Sequence, residues 1–339
     1  MFVKRRQKKI KPFQQPETHV KTVQWFAIAM SALALVACSK TEAKPLTIGA
    51  IYLDAQGFYA GVRAGVTDGI GSNAKLLDTN AQGDVAKESQ FVSTLISTPV
   101  NALIMSAVSP AGSLRAVEQA HKANIPVICY NTCLSAEKTK ELVYAYVVGD
   151  PFTSGEKLGE AAAAYFTRAG VKAPRIGVLN CEFVDVCVQR RKGFEAALIK
   201  QLPGAKVVAN QEGTTVDKAV TTGEKMLIAN PGLDAFLGES GGATLGAVKA
   251  VKNQNKVGKT AVFGWDMSAE AANDLIDGTV LKGVADISGK ALGKLAAQQA
   301  LAATRGEKRA DVIVPASIDM YLNADSAKGW LGTHKDGLP

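Results

Sequence analysis

The sequence predicts an α/β protein made of two similar lobes, each a doubly wound parallel sheet. Three observations lead there. Short apolar runs of buried-strand type recur at intervals of roughly two dozen residues, the period of a strand–helix unit. Helical patterns fill the gaps between them, as crossovers between parallel strands require. Finally, the runs form two consecutive sets of five, more than one ordinary sheet holds, and a chain of 339 residues is long enough for two cores.

The first set comprises Leu46–Tyr52, Lys75–Asp78, Ala102–Met105, Ile125–Cys129 and Leu142–Val148. Asp54–Tyr59 is a loop entering a helix that runs to about Gly71. Asp84 is placed to N-cap a helix through Leu95, because a short side-chain acceptor satisfies an orphan N–H. A further helix covers 110–123, and an alanine-rich one covers 150–170 after Asp150-Pro151. The second set is Ile176–Leu179, Lys206–Ala209, Ala235–Leu237, Ala261–Gly264 and Gly283–Asp286, with helices at 190–202, 216–230, 243–252 and 268–277. Near-continuous apolar strands imply sheets covered on both faces, which right-handed crossovers bring about. A last helix, 289–305, is assigned by this rhythm to neither lobe in particular.

The stretch Arg175–Phe194 opens the second half. Its apolar strand leads through a polar segment carrying Glu182, Asp185 and Arg190 into a helix. In open α/β sheets ligands bind beside the carboxyl ends of strands, so this segment is expected to lend its side chains to a cleft between the lobes.

The net charge of +8 invites a nucleic-acid reading until it is located. Residues 1–37 hold seven basic residues and one acid, so removing their +6 from +8 leaves +2 for the rest of the chain. A nucleic-acid partner is therefore not expected. The basic segment precedes Trp25–Ala37, 13 apolar or small residues, which suits a secretion signal better than the alternative of a short membrane anchor. Leu35–Cys38 resembles the bacterial lipoprotein lipobox, which implies cleavage before Cys38, lipidation of its sulfur, and a polar tether over 38–44.

Four other cysteines remain: Cys129, Cys133, Cys181 and Cys187. An exported protein meets an oxidising compartment, and the close spacings favour one local pair in each half, with free buried thiols as the alternative. Neither spacing is a CxxC zinc pattern. Catalysis has little to stand on. His121 and His334, the two histidines beyond the leader, have no nucleophile at a readable distance. Asp185 and Asp266 could be drawn as a glycosidase pair, but only their presence recommends it. Gly238–Gly242 lacks the Gly-Lys-Ser/Thr ending of a phosphate loop.

Over about residues 45–320 the chain resembles the bacterial periplasmic sugar-binding proteins of the ribose-binding type. The matching pieces are Leu46–Gly49, Phe58-Tyr59, Asn101–Ile104, Ala123–Val127, Gly149-Asp150, Arg190–Phe194, Leu245–Ala247, Gly264–Asp266 and Asp277-Gly278. The resemblance implies the type I periplasmic-binding-protein fold with a three-crossover hinge. Lobe one would comprise 45–149 plus 288–314, and lobe two 150–287 plus 315–339. It also implies roles: Phe58 and Tyr59 flank a sugar, Gln56 bonds its hydroxyls, Arg190 reaches it from lobe two, Asp266 accepts bonds from hydroxyls with Trp265 beside it, and Asp286 contacts it at the last crossover.

The departures redraw the hydrogen-bond pattern. Asn131-Thr132 stands where ribose-type proteins carry Asp-Arg, which makes Asn131 a ligand-facing candidate. Glu239–Gly241 stands where they carry Asn-Asp, which makes Ser240 another. Ribose is therefore not carried over as the ligand. The expected function is capture, without chemistry or cofactor, of a small polyhydroxylated ligand for delivery to an ABC permease, by a monomer attached to the membrane through lipid alone. A sensory role or, less well supported, a cleft hydrolase is the alternative. A transcription regulator of this architecture would need a helix-turn-helix where the leader stands.

Overall fold

The structure, a computed structural model, describes residues 45–339 with the exception of Pro99. The signal segment, Cys38 and the tether lie outside the described residues. In chain order the first part runs β1 (Leu46–Tyr52), α1 (Gly57–Ile70), β2 (Ala74–Asn80), α2 (Val85–Ser97), β3 (Ala102–Met105), α3 (Leu114–Lys122), β4 (Val127–Tyr130), α4 (Ala136–Leu142) and β5 (Ala145–Val148). Helix α5 (Pro151–Arg168) leads into β6 (Arg175–Asn180), α6 (Asp185–Gln201), β7 (Lys206–Glu212), α7 (Val216–Ala229), β8 (Ala235–Gly238), α8 (Gly241–Asn253), β9 (Ala261–Trp265), α9 (Ala269–Asp277) and β10 (Leu281–Asp286). The last elements are α10 (Gly289–Thr304), β11 (Ile313–Pro315), β12 (Asp319–Tyr321) and α11 (Ala324–Thr333).

The strands form two six-stranded sheets, ordered β11-β5-β4-β3-β1-β2 and β12-β10-β9-β8-β6-β7. Each half thus repeats one doubly wound pattern. All pairings are parallel except β10 with β12, where Asp286 lies opposite Asp319. The chain changes sheets between β5 and β6, again between β10 and β11, and last between β11 and β12. In each lobe apolar clusters lie on both faces of the sheet, as the continuous apolar strands require.

Local chemistry sets the ends of the helices. Asp84 accepts from the N–H groups of Ala86 and Lys87 at the start of α2, and Asp150 accepts from Thr153 at 2.6 Å, with Pro151 in the first turn of α5. Ser240, Ser268 and Ser288 cap α8, α9 and α10 in the same way. The crossover helices α5 and α10 approach their neighbours closely through glycine. A Cβ on Gly155 would collide with the carbonyl oxygen of Arg190, and one on Gly293 with that of Val62. The first of these contacts fixes the level of α6 against α5, and so the height of Arg190.

Several boundaries differ from the sequence expectation. Leu142 ends a helix instead of opening a strand, because Ser135 caps a seven-residue turn of chain over Ala136–Leu142 and β5 begins at Ala145. Helix α6 starts at Asp185, five residues earlier than its apolar pattern, so Asp185 and Arg190 are helical and not loop residues. Helix α10 packs on α1 and the first sheet. Strands β11 and β12 are three residues each, too short for a period-2 signal.

Candidate functional site

In both sheets the order reverses beside the first strand of the lobe, β1 or β6, whose neighbours leave it in opposite directions. The crevice outside the carboxyl ends at such a switch point is where an open α/β sheet receives a ligand. The two crevices face each other across a cavity of about 140 Å³. The first lobe supplies Leu53, Phe58 and Tyr59 after β1, and Asn131 and Thr132 after β4. Opposite them, the second lobe supplies Cys181, Phe183, Val184, Val186, Cys187 and Arg190 after β6, with Thr214, Ser240 and Asp266.

The aromatic wall is pre-set. Phe58 and Tyr59 meet edge to face with centroids 5.2 Å apart, and Tyr59 leans on buried Tyr130 at 6.3 Å. The Tyr59 hydroxyl accepts from Asn131 Nδ2 at 3.2 Å. Burial pushes the Tyr59 phenol up to about 12, so at neutral pH it faces the cavity as a neutral hydroxyl. Asn131 is held by its own backbone: its φ is 56°, and its carbonyl oxygen accepts from the hydroxyl of Tyr146 at 2.7 Å.

Across the cavity, Arg190 lies in the second turn of α6 and is buried. Its guanidinium carbon stands 5.3 Å from the centroid of the Trp265 ring, and Nη1 donates to the carbonyl oxygen of Glu239 at 2.9 Å. Its Nε has no protein partner. Its neighbour Arg191 turns outward to pair with Glu182 and Glu195. Asp266 follows β9 with φ 65°, and its Oδ2 accepts from the N–H of Gly241 at 2.8 Å. Ser240 uses its hydroxyl to donate to the Thr214 carbonyl at 3.2 Å while capping α8.

The remaining candidates are not on the cavity wall. Trp265 is buried behind Arg190, and its indole N–H donates to Ser154 Oγ at 2.8 Å. Asp286 is buried one layer deeper. Its Oδ1 accepts from the N–H of Met267 at 3.0 Å, its Oδ2 has no partner, and burial holds its carboxyl up to about 7. Gln56 is exposed at the N-terminus of α1 and makes no capping bond. Asp185 and Glu182 are likewise absent from this wall; Asp185 accepts from Gln189, and Glu182 is occupied by Arg191.

Sequence reasoning missed Thr214, the loop residues Phe183 and Val184, and Val186 in the first turn of α6, which line the cavity from a segment read only for its charges. It also passed over Glu239 itself. That carboxylate is buried, Oε2 accepts from the N–H of Cys181 at 3.0 Å, Oε1 has no partner, and burial raises its pKa to about 8. The signal was present in the acid of Glu239–Gly241, where the ribose-type pattern has Asn. The sulfurs of Cys181 and Cys187, and those of Cys129 and Cys133, stand at disulfide distance, each pair with Cα atoms 5.6 Å apart. Glu239 completes a group with Cys181 and Cys187 within 4.8 Å, but the two sulfurs hold each other and offer no metal ligand.

A family model described as "Periplasmic binding protein domain" matches residues 51–308 of the chain. The chain belongs to that periplasmic binding protein family. The ABC transporter periplasmic-binding protein YphF of Escherichia coli (strain K12) is 50% identical over 325 residues, covering 95% of this chain and 99% of that one. The ribose import binding protein RbsB of Bacillus subtilis (strain 168) is 25% identical over 237 residues, 69% of this chain and 73% of its own length. Among solved structures, an ABC transporter solute binding protein from Mycobacterium smegmatis with bound glycerol superposes with a TM-score of 0.75 at 26% identity. It covers 84% of this chain and 96% of the other. A periplasmic solute binding protein from Actinobacillus succinogenes 130z has a TM-score of 0.77 at 21% identity over 84% of this chain and all of the other, which bears on the fold alone. The periplasmic binding protein fold thus accounts for both sheets and for the three changes between them.

Proposed function

We propose that this periplasmic binding protein captures a small polyhydroxylated ligand, a sugar or sugar alcohol, between its lobes and delivers it to an ABC permease without chemical change. The observation that carries the reading is the opposition of Arg190 and Asp266, on the second lobe, to Tyr59 and Asn131 on the first, around one cavity. A ligand whose hydroxyls bond both walls stabilises the closed arrangement of the lobes, and only its differential affinity for that arrangement can shift the equilibrium. Hinge closure around a ligand is the known behaviour of periplasmic binding proteins, and the movement here would fall near residues 149–150, 287–288 and 316–318, where the chain passes between the sheets. Closure then becomes the signal that a permease reads.

The relatives support the reading in their own names: the YphF relative is described as belonging to an ABC transporter, the RbsB relative as importing ribose, and one neighbour of similar fold as holding glycerol. Asn131, where the ribose type carries Asp, alters the charge offered to the hydroxyls, so ribose is not carried over as the ligand. We further propose export to the periplasm or cell envelope, attachment through lipid on Cys38, and action as a monomer. Among the described residues no helix is long and apolar enough to cross a membrane.

A thermal-shift screen of pentoses, hexoses, polyols and inositols on the purified protein tests this reading. At least one compound should raise the unfolding midpoint in a concentration-dependent way, since binding to the folded state alone stabilises it. A flat response across all of them would overturn it.

A further inference from the structure

The polar cavity is not the only space between the lobes. A groove of about 460 Å³ adjoins it and shares three wall residues with it, Thr132, Val184 and Val186. We propose, on the reading above, that the ligand carries an apolar alkyl or aryl substituent on its polyhydroxyl head, and that this substituent lies in the groove while the head lies between Asp266 and Tyr59.

Volume is the first argument. Ligand sites typically span about 300–1,000 Å³, so the polar cavity alone is small and the groove falls within the range. Chemistry is the second. Most polar groups on the groove wall are spent on the protein; Lys140, exposed in the last turn of α4, is the exception. Thr132 Oγ1 bonds Ser106 Oγ and the Ala107 carbonyl, Thr139 donates to the Leu134 carbonyl, and Tyr146 donates to that of Asn131. Asp150 caps α5, and Asp185 accepts from Gln189. What these leave on the wall is apolar: Leu134, Pro151, Val184, Val186, Val312 and Ile313. Among the described residues, none of the buried polar atoms lacking a partner belongs to the groove, whereas Arg190 Nε belongs to the polar cavity. The free donor of Arg190 marks the first space for a hydroxyl, and the wall of its neighbour offers mainly hydrocarbon.

Position is the third argument. Val148, Asp150 and Pro315 line the groove and stand at two of the places where the chain changes sheets. Atoms near a hinge move least as lobes rotate, so the groove persists on closure. An apolar group held there touches both lobes and favours the closed arrangement by leaving water.

The test compares matched probes on the purified protein: D-ribose, L-arabinose, D-allose, D-galactose and D-glucose, each as the free sugar, the methyl glycoside and the phenyl glycoside, titrated by calorimetry. For a sugar that binds, the phenyl glycoside should bind about tenfold or more tightly than the methyl glycoside, from the apolar area it buries. Ile313→Arg, at an exposed position that lines the groove and not the polar cavity, should erase that gain and leave the methyl glycoside unchanged. Ala136→Arg on the opposite rim is the second variant, and a thermal melt of each confirms folding. Equal affinity of the phenyl and methyl forms, or a gain that survives both variants, would overturn the inference while leaving the sugar reading intact. If none of these sugars or glycosides binds while a polyol in the thermal screen does, the inference falls and the binding reading stands; if nothing binds in either experiment, both fall.

Discussion

Asn131 and Asp266 occupy equivalent positions in the two lobes. Each follows the third strand from the β11 or β12 edge of its sheet, β4 or β9, with φ at 56° and 65°, and each sends its backbone N–H to the strand beside it, at the Val147 and Ala285 carbonyls. Left-handed backbone is costly for residues with a Cβ and least so for Asn and Asp. Both lobes therefore hold a strained polar residue at the rim of the same cavity. Strain kept at matching places on facing walls is a mark of a binding site, because the turn aims each side chain inward.

This relationship makes a stability prediction. Asn131→Ala should destabilise the protein by about 1–2 kcal/mol more than Asn131→Gly, since glycine adopts the left-handed region without the Cβ penalty. Both variants should lose ligand affinity alike, because both lose the amide. Chemical denaturation of the two variants checks the difference; equal stabilities would show that the backbone at this rim is not strained.

Glu239 and Asp286 predict a pH dependence. Burial raises Glu239 from 4.5 to about 8 and Asp286 from 3.8 to about 7, so the folded protein holds protons that the unfolded chain releases. Stability through these groups is greatest below the unfolded values and falls as pH rises toward the folded ones. The unfolding midpoint should therefore fall between about pH 5 and pH 8, and Glu239→Gln should flatten part of that slope. A slope unchanged in Glu239→Gln would mean that Glu239 is ionised in the folded protein.

Arg190 stacked over Trp265 offers an optical readout. A ligand that engages the free Nε of Arg190 shifts the cation above the indole, and tryptophan emission should change on saturation. Arg190→Leu should abolish both the change and most of the affinity. An emission change that persists in Arg190→Leu would place its origin elsewhere.

Cys38→Ala should release the protein from the membrane fraction in detergent partitioning, because no other anchor is proposed. Membrane association equal to that of the parent would remove the lipoprotein assignment.

The fold was legible because its strands are buried on both faces, so each reads as a plain apolar run such as Ala102–Met105 or Ala235–Leu237. What stayed hidden was short or polar: α4 begins with charged residues, the first turn of α6 carries Asp185 under a helix pattern that becomes apolar later, and β12 has three residues. The site was legible where a strand end carries a distinctive polar residue, as at Asn131 and Asp266. Depth was not. Trp265 and Asp266 are adjacent in sequence, yet one is buried behind Arg190 and the other is on the cavity wall. Sequence spacing says which way alternate residues face but not which layer they reach. Val184 and Val186 were overlooked for the same reason, since an apolar residue in a polar stretch gives no sign that it lines a cavity.

Calorimetric titration of a sugar or polyol hit into the parent and into Asp266→Ala tests the central claim most directly. Asp266 is a cavity-wall carboxylate opposite Tyr59 and Asn131. Bonds from ligand hydroxyls to a charged acceptor contribute about 1.5–3 kcal/mol each, so the variant should bind roughly ten- to a hundredfold more weakly while remaining folded. An Asp266→Ala protein that binds the ligand as tightly as the parent would contradict the account, because the ligand would then lie somewhere other than the cavity between the lobes.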